Sequence, residues 1–460
     1  MKLKIITAVS LFAALIMPLT AQDVTFSGDV ETSWGAGAPW TDSDTTAGRF
    51  TLGNTAFTGE IDAWMDNSSA FAEGTVSYDA TRTGSGALDF SLGELWVDYT
   101  DSFWGIRIGR QKDTWGAADG ITITNVICPD DMSSFAAMMG DNSKLAVDAA
   151  RFSISGDTFT ADVWWIPFFT PSALPLDEGN ALRRFVVPAT VQFPVGGTTL
   201  TLPINIGTLS KPETAIWNGE HALKASGYFS AFDVSFYAFY GWDDTPLLDY
   251  TVSYTVGGGG TPVPSGITVS GSYERMAMIG ADASIPLGET VLRLETAFFP
   301  QRRLQKSAEK IIIEKMTAAA TAAATGTTPA AVATFEKRNE LSALAGIDWM
   351  PSGWTITAQY YCDVVFGNLD ALDRAAAYTH GATISVSKTF LDETLEASVN
   401  AVIGFNDFDS MISPSVKYSL SDQINVSGGA ILFIPGPDKD GKYGAYKDLS
   451  TFYASAKFSF

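Results

Sequence analysis

The spacing between alternating apolar–polar runs constrains this chain more than any other feature. Numbered from the N-terminus, the even gaps are very short: 66–68, 100–103, 155–157, 230–231, 286–289, 351–353, 391–392 and 420–423. The odd gaps are mostly long: 36–49, 80–87, 112–143, 167–218, 243–271, 300–338, 367–378, 405–410 and 435–450. Between them lie strand candidates at 24–35, 50–65, 69–79, 88–99, 104–111, 144–154, 158–166, 219–229, 232–242, 272–285, 290–299, 339–350, 354–366, 379–390, 393–404, 411–419, 424–434 and 451–460. Within them Phe159, Ala161, Val163 and Trp165 oppose Thr160 and Asp162, and Leu292 and Leu294 oppose Arg293 and Glu295. Such period-two patterning sets a strand between an apolar and a polar environment. A soluble β-sandwich also alternates, but its crossing connections would not keep the short/long parity of the gaps. An up-and-down transmembrane barrel does, with tight periplasmic turns and large outer loops. In hydrocarbon every backbone amide must be paired, so the strands must close on themselves. The expected fold is an all-β, antiparallel transmembrane barrel of about 18 strands around an aqueous lumen. A count of 16 stays open, because weakly patterned runs such as 264–272 can extend a neighbouring strand or form a loop hairpin.

The two ends support an exported barrel. Lys2 and Lys4, an apolar run over 5–17 and small Ala21 read as a secretory signal peptide, 1–21, leaving 22–460 as the barrel. No later segment has the roughly 18 consecutive apolar residues of a membrane helix. At the C-terminus Phe452, Ala454, Ala456, Phe458 and Phe460 alternate with Tyr453, Ser455, Lys457 and Ser459. This resembles the last strand of bacterial outer-membrane barrels, whose terminal aromatic residue is read by the barrel-assembly machinery. The resemblance implies a place in the cell outer membrane, with outer-membrane lipid and, through Phe460, that machinery as partners.

Composition excludes other classes. A formal net charge of -22 argues against nucleic acid as a partner. Abundant aromatics (29 Phe, 15 Tyr, 12 Trp) argue against disorder. Cys128 and Cys362 are too few for a disulfide framework and read as one bridge or as two unpaired, small apolar side chains. The only histidines, His221 and His380, stand near outer strand ends with no serine or acid partner in the sequence pattern, so no catalysis is expected. No cofactor is expected and no metal site is named. Asp438 to Gly441 opens like a calcium loop, but Leu449 stands where the twelfth-position Glu belongs, so the run reads as a turn. The acidic pairs Asp42/Asp44, Asp130/Asp131 and Asp243/Asp244 read as a cation-binding rim or, more plainly, as ordinary acidic loop residues. Loop 167–218 is Pro-rich and reads as a hairpin above the membrane. Loop 300–338 carries Arg302, Arg303, Lys306, Lys310 and Lys315 before an Ala/Thr tract, with helix-forming composition over 302–324. It reads as a solvated insertion or as a ligand vestibule.

Loop 112–143 is the anomaly. It follows a strand with Ile106 and Ile108 on one face and Arg107 and Gln111 on the other, yet carries Ile121, Ile123, Val126 and Ile127. A short helix is expected over 132–139, with Met132, Phe135, Ala136 and Met139 on one side. A loop so apolar gains by folding into the barrel and burying these groups against the wall. The residues expected to line the resulting constriction are Arg107, Arg110, Gln111, Asp113, Asp119, Asp130 and Asp131, with Arg293, Glu295, Lys417 and Lys457 from the lumen wall. Inward parity adds Glu73, Asp162, Lys224 and Asp348. Facing rows of opposite charge would set a transverse field that orients polar solutes; the plainer reading is that the charges hydrate the wall and pair with each other.

The run Arg107-x-x-Arg110-Gln111-x-x-x-Trp115-Gly116-x-x-Asp119-Gly120-Ile121, followed by Asn125-Val126-Ile127-x-Pro129-x-Asp131, resembles a motif of a porin-like outer-membrane barrel family of uncharacterised function, related in style to alginate-export barrels. That resemblance implies a channel or export pore and assigns no substrate. The expected function is a diffusion channel for small hydrophilic solutes, monomeric or trimeric. The alternatives are a structural or adhesive barrel that displays its long loops, and a transporter of hydrophobic molecules.

Overall fold

The computed structural model describes residues 23–460 except 39–45, 83–85, 136, 138–142, 178–179, 181, 196–197, 257–261 and 438–440. The signal peptide, Asp42, Asp44, most of the turn at 438–441 and part of the expected 132–139 helix therefore lie outside the described residues. The strands are β1 Asp23–Gly37, β2 Phe50–Met65, β3 Ser68–Asp79, β4 Leu88–Thr100, β5 Trp104–Gln111, β6 Val147–Ser155, β7 Phe159–Ile166, β8 Thr190–Val195, β9 Thr198–Ser210, β10 Glu220–Tyr228 and β11 Asp233–Trp242. They continue with β12 Leu247–Val256, β13 Pro262–Ser272, β14 Arg275–Leu287, β15 Thr290–Gln305, β16 Phe335–Trp349, β17 Trp354–Phe366, β18 Tyr378–Phe390, β19 Leu395–Gly404, β20 Asp409–Ser419, β21 Ile424–Ile434 and β22 Thr451–Ser459.

All but β8, β9, β12 and β13 form one 18-stranded sheet. Each strand pairs antiparallel with its neighbour, and β22 pairs back onto β1 from Asp29↔Ser459 to Gly37↔Thr451. The count is eighteen, and the barrel is closed. At the seam Gly28 N–H donates to Phe460 O at 3.1 Å and Phe460 N–H to Gly28 O at 3.0 Å. A Cβ at Gly28 would stand 2.4 Å from Thr58 O, so glycine permits the close approach. Run 264–272 belongs to β13, outside the barrel.

The alternation separates two environments. On β1, Val24, Phe26, Val30 and Trp34 are exposed to the outside, while Ser27, Asp29 and Glu31 point inward. Phe57, Val76, Phe90, Val97 and Ile108 continue the apolar outer surface across the next strands. A wall this apolar is stable in lipid and would aggregate in water. His380 belongs to it, ringed by Tyr360, Tyr378 and Phe405. Among the described residues no helix is long and apolar enough to cross a membrane.

One end of the barrel carries only tight turns. Asp66, Ser352, Leu391, Asp392 and Glu393 adopt positive φ there. At the other end the long loops build a cap. Hairpin β8–β9, from the Pro-rich loop, joins hairpin β12–β13 through parallel pairing of β9 with β13, giving a second, four-stranded sheet. Val187, Leu202, Ile267, Val269 and Ile312 form its core, under the helix Ala308–Thr325. Ser307 caps that helix at one end and Gly326, at φ 64°, at the other.

Two expectations for the basic loop change. Strands β15 and β16 run beyond the expected 290–299 and 339–350 and pair up to Gln305↔Phe335, so the helix begins at Ala308 rather than near 302. The basic side chains are also largely matched by acid. Arg302 bridges Asp243 (2.8 Å) and Glu340 (3.0 Å), Arg303 bridges Glu274 (3.1 Å) and Lys315 bridges Asp249 (2.5 Å). Lys306 pairs with Glu314. The patch fastens the cap to the rim rather than presenting open positive charge.

Candidate functional site: the loop-narrowed lumen

After β5 the chain turns into the barrel, because its apolar side chains find partners only on the inward wall. Trp115, Ile123, Ile127 and Cys128 are buried in one cluster with Trp164, Tyr237, Phe239, Met278, Ala297 and Leu344. These partners come from β7, β11, β14, β15 and β16, so the loop spans a wide arc of the lumen. The Trp115 ring stacks on Tyr237, centroids 5.0 Å apart.

Glu295 is the hub. Its Oε2 accepts from the N–H groups of Ala117 (2.7 Å) and Ala118 (2.8 Å). Its Oε1 accepts from Thr124 N–H (2.8 Å) and Thr124 Oγ1 (2.7 Å). A carboxylate that accepts four hydrogen bonds while 3 % exposed is stabilised by charge-assisted bonds where solvent is scarce. Gly116, at φ +88°, makes room for it: a Cβ there would stand 2.2 Å from Glu295 Oε1. Around this hub Gly116 N–H donates to Tyr237 Oη (3.1 Å), which itself donates to Asp282. Asp119 N–H donates to Gln359 Oε1 (3.1 Å), and Thr383 Oγ1 donates to the same oxygen (3.1 Å). Arg293 bridges Asp348 (2.5 Å) and Asp119 (3.5 Å) and donates to Ala117 O (3.2 Å).

The residues nominated from sequence do not all meet. Arg293, Asp348, Glu295 and Asp119 meet at the loop tip. Glu295 is not open to the water path, since the loop takes up its whole carboxylate. Gln111 is 0 % exposed and donates to Gly109 O and Ala149 O, so it packs beneath the loop. Asp113 accepts from Trp115 Nε1 (3.0 Å) at the loop's start.

Arg110 departs from its expected role. It pairs with Asp148 (3.2 Å), and the register sets both on the face of Ile108 and Ala150, opposite to Val147 and Ala149 in the buried cluster. Three residues from Arg107, it must face the other side of a strand. Arg107 points inward, bridging Asp98 (3.0 Å) over the Trp96 ring.

Asp130 and Asp131 lie apart from the tip. Asp130 bridges Lys144 (2.7 Å), Asp131 accepts from Ser133 N–H (2.9 Å), and both run beside Ser172 and Ala173 of the next outer loop. Phe135 reaches Phe433 on β21 with centroids 6.3 Å apart, in a cluster holding Leu182, Ile431 and Leu449.

Lys417 and Lys457 lie near the short-turn ends of β20 and β22, five and seven strands round the wall from the β15 strand of Glu295; Lys457 bridges Asp29 (3.3 Å). Asp162 accepts from Ser153 Oγ (2.5 Å), Lys224 donates to Thr114 O (3.5 Å), and Glu73 bridges Lys112 (3.9 Å). Tyr237, Asp282, Gln359 and Thr383 were not among the sequence nominations. Inward parity marks their wall positions, but nothing local says that the loop would reach them. Both cysteines are free thiols. Burial pushes Cys128, inside the loop cluster, up to about 11.

No protein-family model matches the chain, and neither does any curated protein. Among solved structures, a BenF-like porin from Pseudomonas fluorescens Pf-5 is similar at 9% identity and TM-score 0.50, covering 96% of this chain and 98% of that one. Acinetobacter baumannii OccAB3 is similar at 6% identity and TM-score 0.50, covering 95% and 99%. At these identities the likeness is one of fold. Closure, strand parity, the apolar outer wall and these neighbours agree that the chain is a porin-like, 18-stranded transmembrane β-barrel.

Proposed function

We propose that the protein is an outer-membrane diffusion channel for small hydrophilic solutes, narrowed by the loop over 112–128. The supporting observation is the inversion of polarity across the wall. An apolar outer face suits lipid, while the lumen carries Asp29, Glu31, Glu60, Asp62, Glu73 and Arg107, which only water makes stable. The loop fills the side of the lumen bounded by β6, β7, β10, β11 and β14–β17. Solutes then pass along the remaining wall, β18–β22 and β1–β4, rich in hydroxyls such as Ser385, Ser398, Ser415, Ser427 and Ser455 and in the carboxylates above. In this reading Asp119 and Arg293 edge the constriction. Signal-peptide export, recognition of Phe460 by the assembly machinery and trimer formation belong to the same proposal, as does kinship with the uncharacterised porin-like family through the 107–131 motif.

Single-channel recording in planar bilayers tests it. The purified barrel should give stable, ohmic openings, and a deletion of about residues 117–139 should raise their conductance. A folded barrel without conductance would refute the channel and favour a display or adhesive role. Unchanged conductance in the folded deletion variant would show that the loop packs without narrowing the path.

A further inference from the structure

The apolar outer wall dips near its short-turn end. A cleft of about 350 Å³ opens there across β2–β5. The register sets Val24, Ala63, Ala70, Val97 and Ile108 in one outward row. Val97 and Ile108 stand up from that row, whereas the two alanines carry only methyls, and Ala63 is 9 % exposed although it faces outward. Trp64, Tyr99 and Ile106 bound the cleft on the side of the turns. Tyr99 packs on Trp104 with centroids 5.4 Å apart, and Phe103 is exposed beside them. Such an aromatic band marks the level where hydrocarbon gives way to headgroups.

Beyond that band the turns are acidic. Asp66 and Asp101 are exposed on turns that Thr100 N–H joins by donating to Asn67 O (2.8 Å). Ser155 N–H donates to Phe103 O (2.9 Å) and brings the next turn, with exposed Asp157, alongside. Among the described residues none of the three carboxylates has an ion-pair partner, and the segments 64–69, 99–104 and 155–158 hold no Lys or Arg. The acidity is local: on another arc of the same rim the ammonium of Lys388 lies over Trp354 at 4.7 Å. The cleft has the size of a small-molecule pocket, about 300–1,000 Å³. Eleven residues line it, where a stable protein interface takes about 20–30 on each side. That favours a single lipid chain over a second barrel. The carboxylates at its foot repel an anionic headgroup. A primary ammonium suits them, because it adds N–H donors to its charge, and a quaternary ammonium has none.

We propose that this cleft holds one acyl chain of a phosphatidylethanolamine from the periplasmic leaflet, with the lipid ammonium against Asp66 and Asp101. The proposal rests on the barrel's place in the membrane and not on conduction.

Native mass spectrometry tests it on the full-length barrel, incubated in detergent with equimolar palmitoyl-oleoyl phosphatidylethanolamine, phosphatidylglycerol and phosphatidylcholine. One phosphatidylethanolamine should be retained at least fivefold over either of the others. Ala70→Phe, which fills the cleft, should cut that retention at least tenfold. Asp66→Asn with Asp101→Asn should leave a lipid bound and erase the preference; Asn tolerates the φ of 50° at position 66. Heat-modifiable electrophoretic mobility reports folding; if Ala70→Phe does not fold, the double variant, confined to exposed turns, decides. Retention of either other lipid as strongly as phosphatidylethanolamine overturns the proposal, as does unchanged retention in the folded variants. An oligomer that Ala70→Phe splits also overturns it, because a second copy would then fill the cleft. The measurement needs no current, so a barrel that keeps the lipid without conducting refutes the channel alone, and one that conducts without keeping it refutes the lipid site alone.

Discussion

Replacing Glu295 by Gln should release the loop. The amide keeps one acceptor oxygen for Ala117 and Ala118 and turns an NH₂ toward Thr124, whose hydroxyl can reverse and accept but whose N–H cannot, so one of the four bonds is lost and the other three lose their charge assistance. Hydrogen bonds to a charged group contribute about 1.5–3 kcal/mol each. The burial cost of the carboxylate, removed at the same time, offsets part of that loss. A net weakening of about 3 kcal/mol follows, or a roughly 150-fold rise in the population of the opened loop. Cys128 reports on that opening: it is 1 % exposed, inside the loop cluster, with its thiol pushed up to about 11 by burial. In a Cys362→Ala background, maleimide labelling of Cys128 at neutral pH should be slow in the parent and about two orders of magnitude faster with Glu295→Gln, as far as loop opening limits labelling. Single-channel records should become noisier over the same comparison. A folded Glu295→Gln barrel that labels at the parent rate and conducts as quietly would show that the apolar cluster holds the loop without the carboxylate.

Gly116→Ala should disturb the same anchor from the other side, since the position needs φ +88° and leaves no room for a Cβ beside Glu295; a loss of about 2 kcal/mol in loop stability is expected, read as faster Cys128 labelling. The outer loops should tighten on acidification. Burial and neighbouring Asp243 push Asp244 up to about 6 from its usual 3.8, so the folded loop binds its proton more tightly than the unfolded one. Its contribution is most favourable below pH 4 and is lost as pH rises toward 6, costing on the order of 3 kcal/mol at neutrality. Proteolysis of the outer loops at pH 7 compared with pH 4.5 should show this, and Asp244→Asn should abolish the difference. Reversal potentials in a salt gradient should show cation preference, reduced by Glu60→Gln with Glu73→Gln; anion preference would mean that Arg107 and Arg151 dominate the field.

The sequence alone determined the barrel. Period-two alternation, gap parity and the absence of an apolar helical span leave one way to pair every amide in lipid, and the strand positions follow within a few residues. The strands β15 and β16 ran longer because Arg302 and Arg303, polar in a stretch read as loop, found acids across the rim in Asp243, Glu340 and Glu274. Sequence also showed that loop 112–143 had apolar groups to bury. It did not show where they would go. Which wall residue meets Ala117, Ala118 and Thr124 depends on strands more than 170 positions away in the chain, brought round by closure. For the same reason Glu295 looked like a lumen charge and is a loop anchor, while Arg110 looked like a neighbour of Arg107 and faces the opposite side. Local pattern fixes which face a residue takes; only the closed tertiary structure decides what stands across the lumen from it.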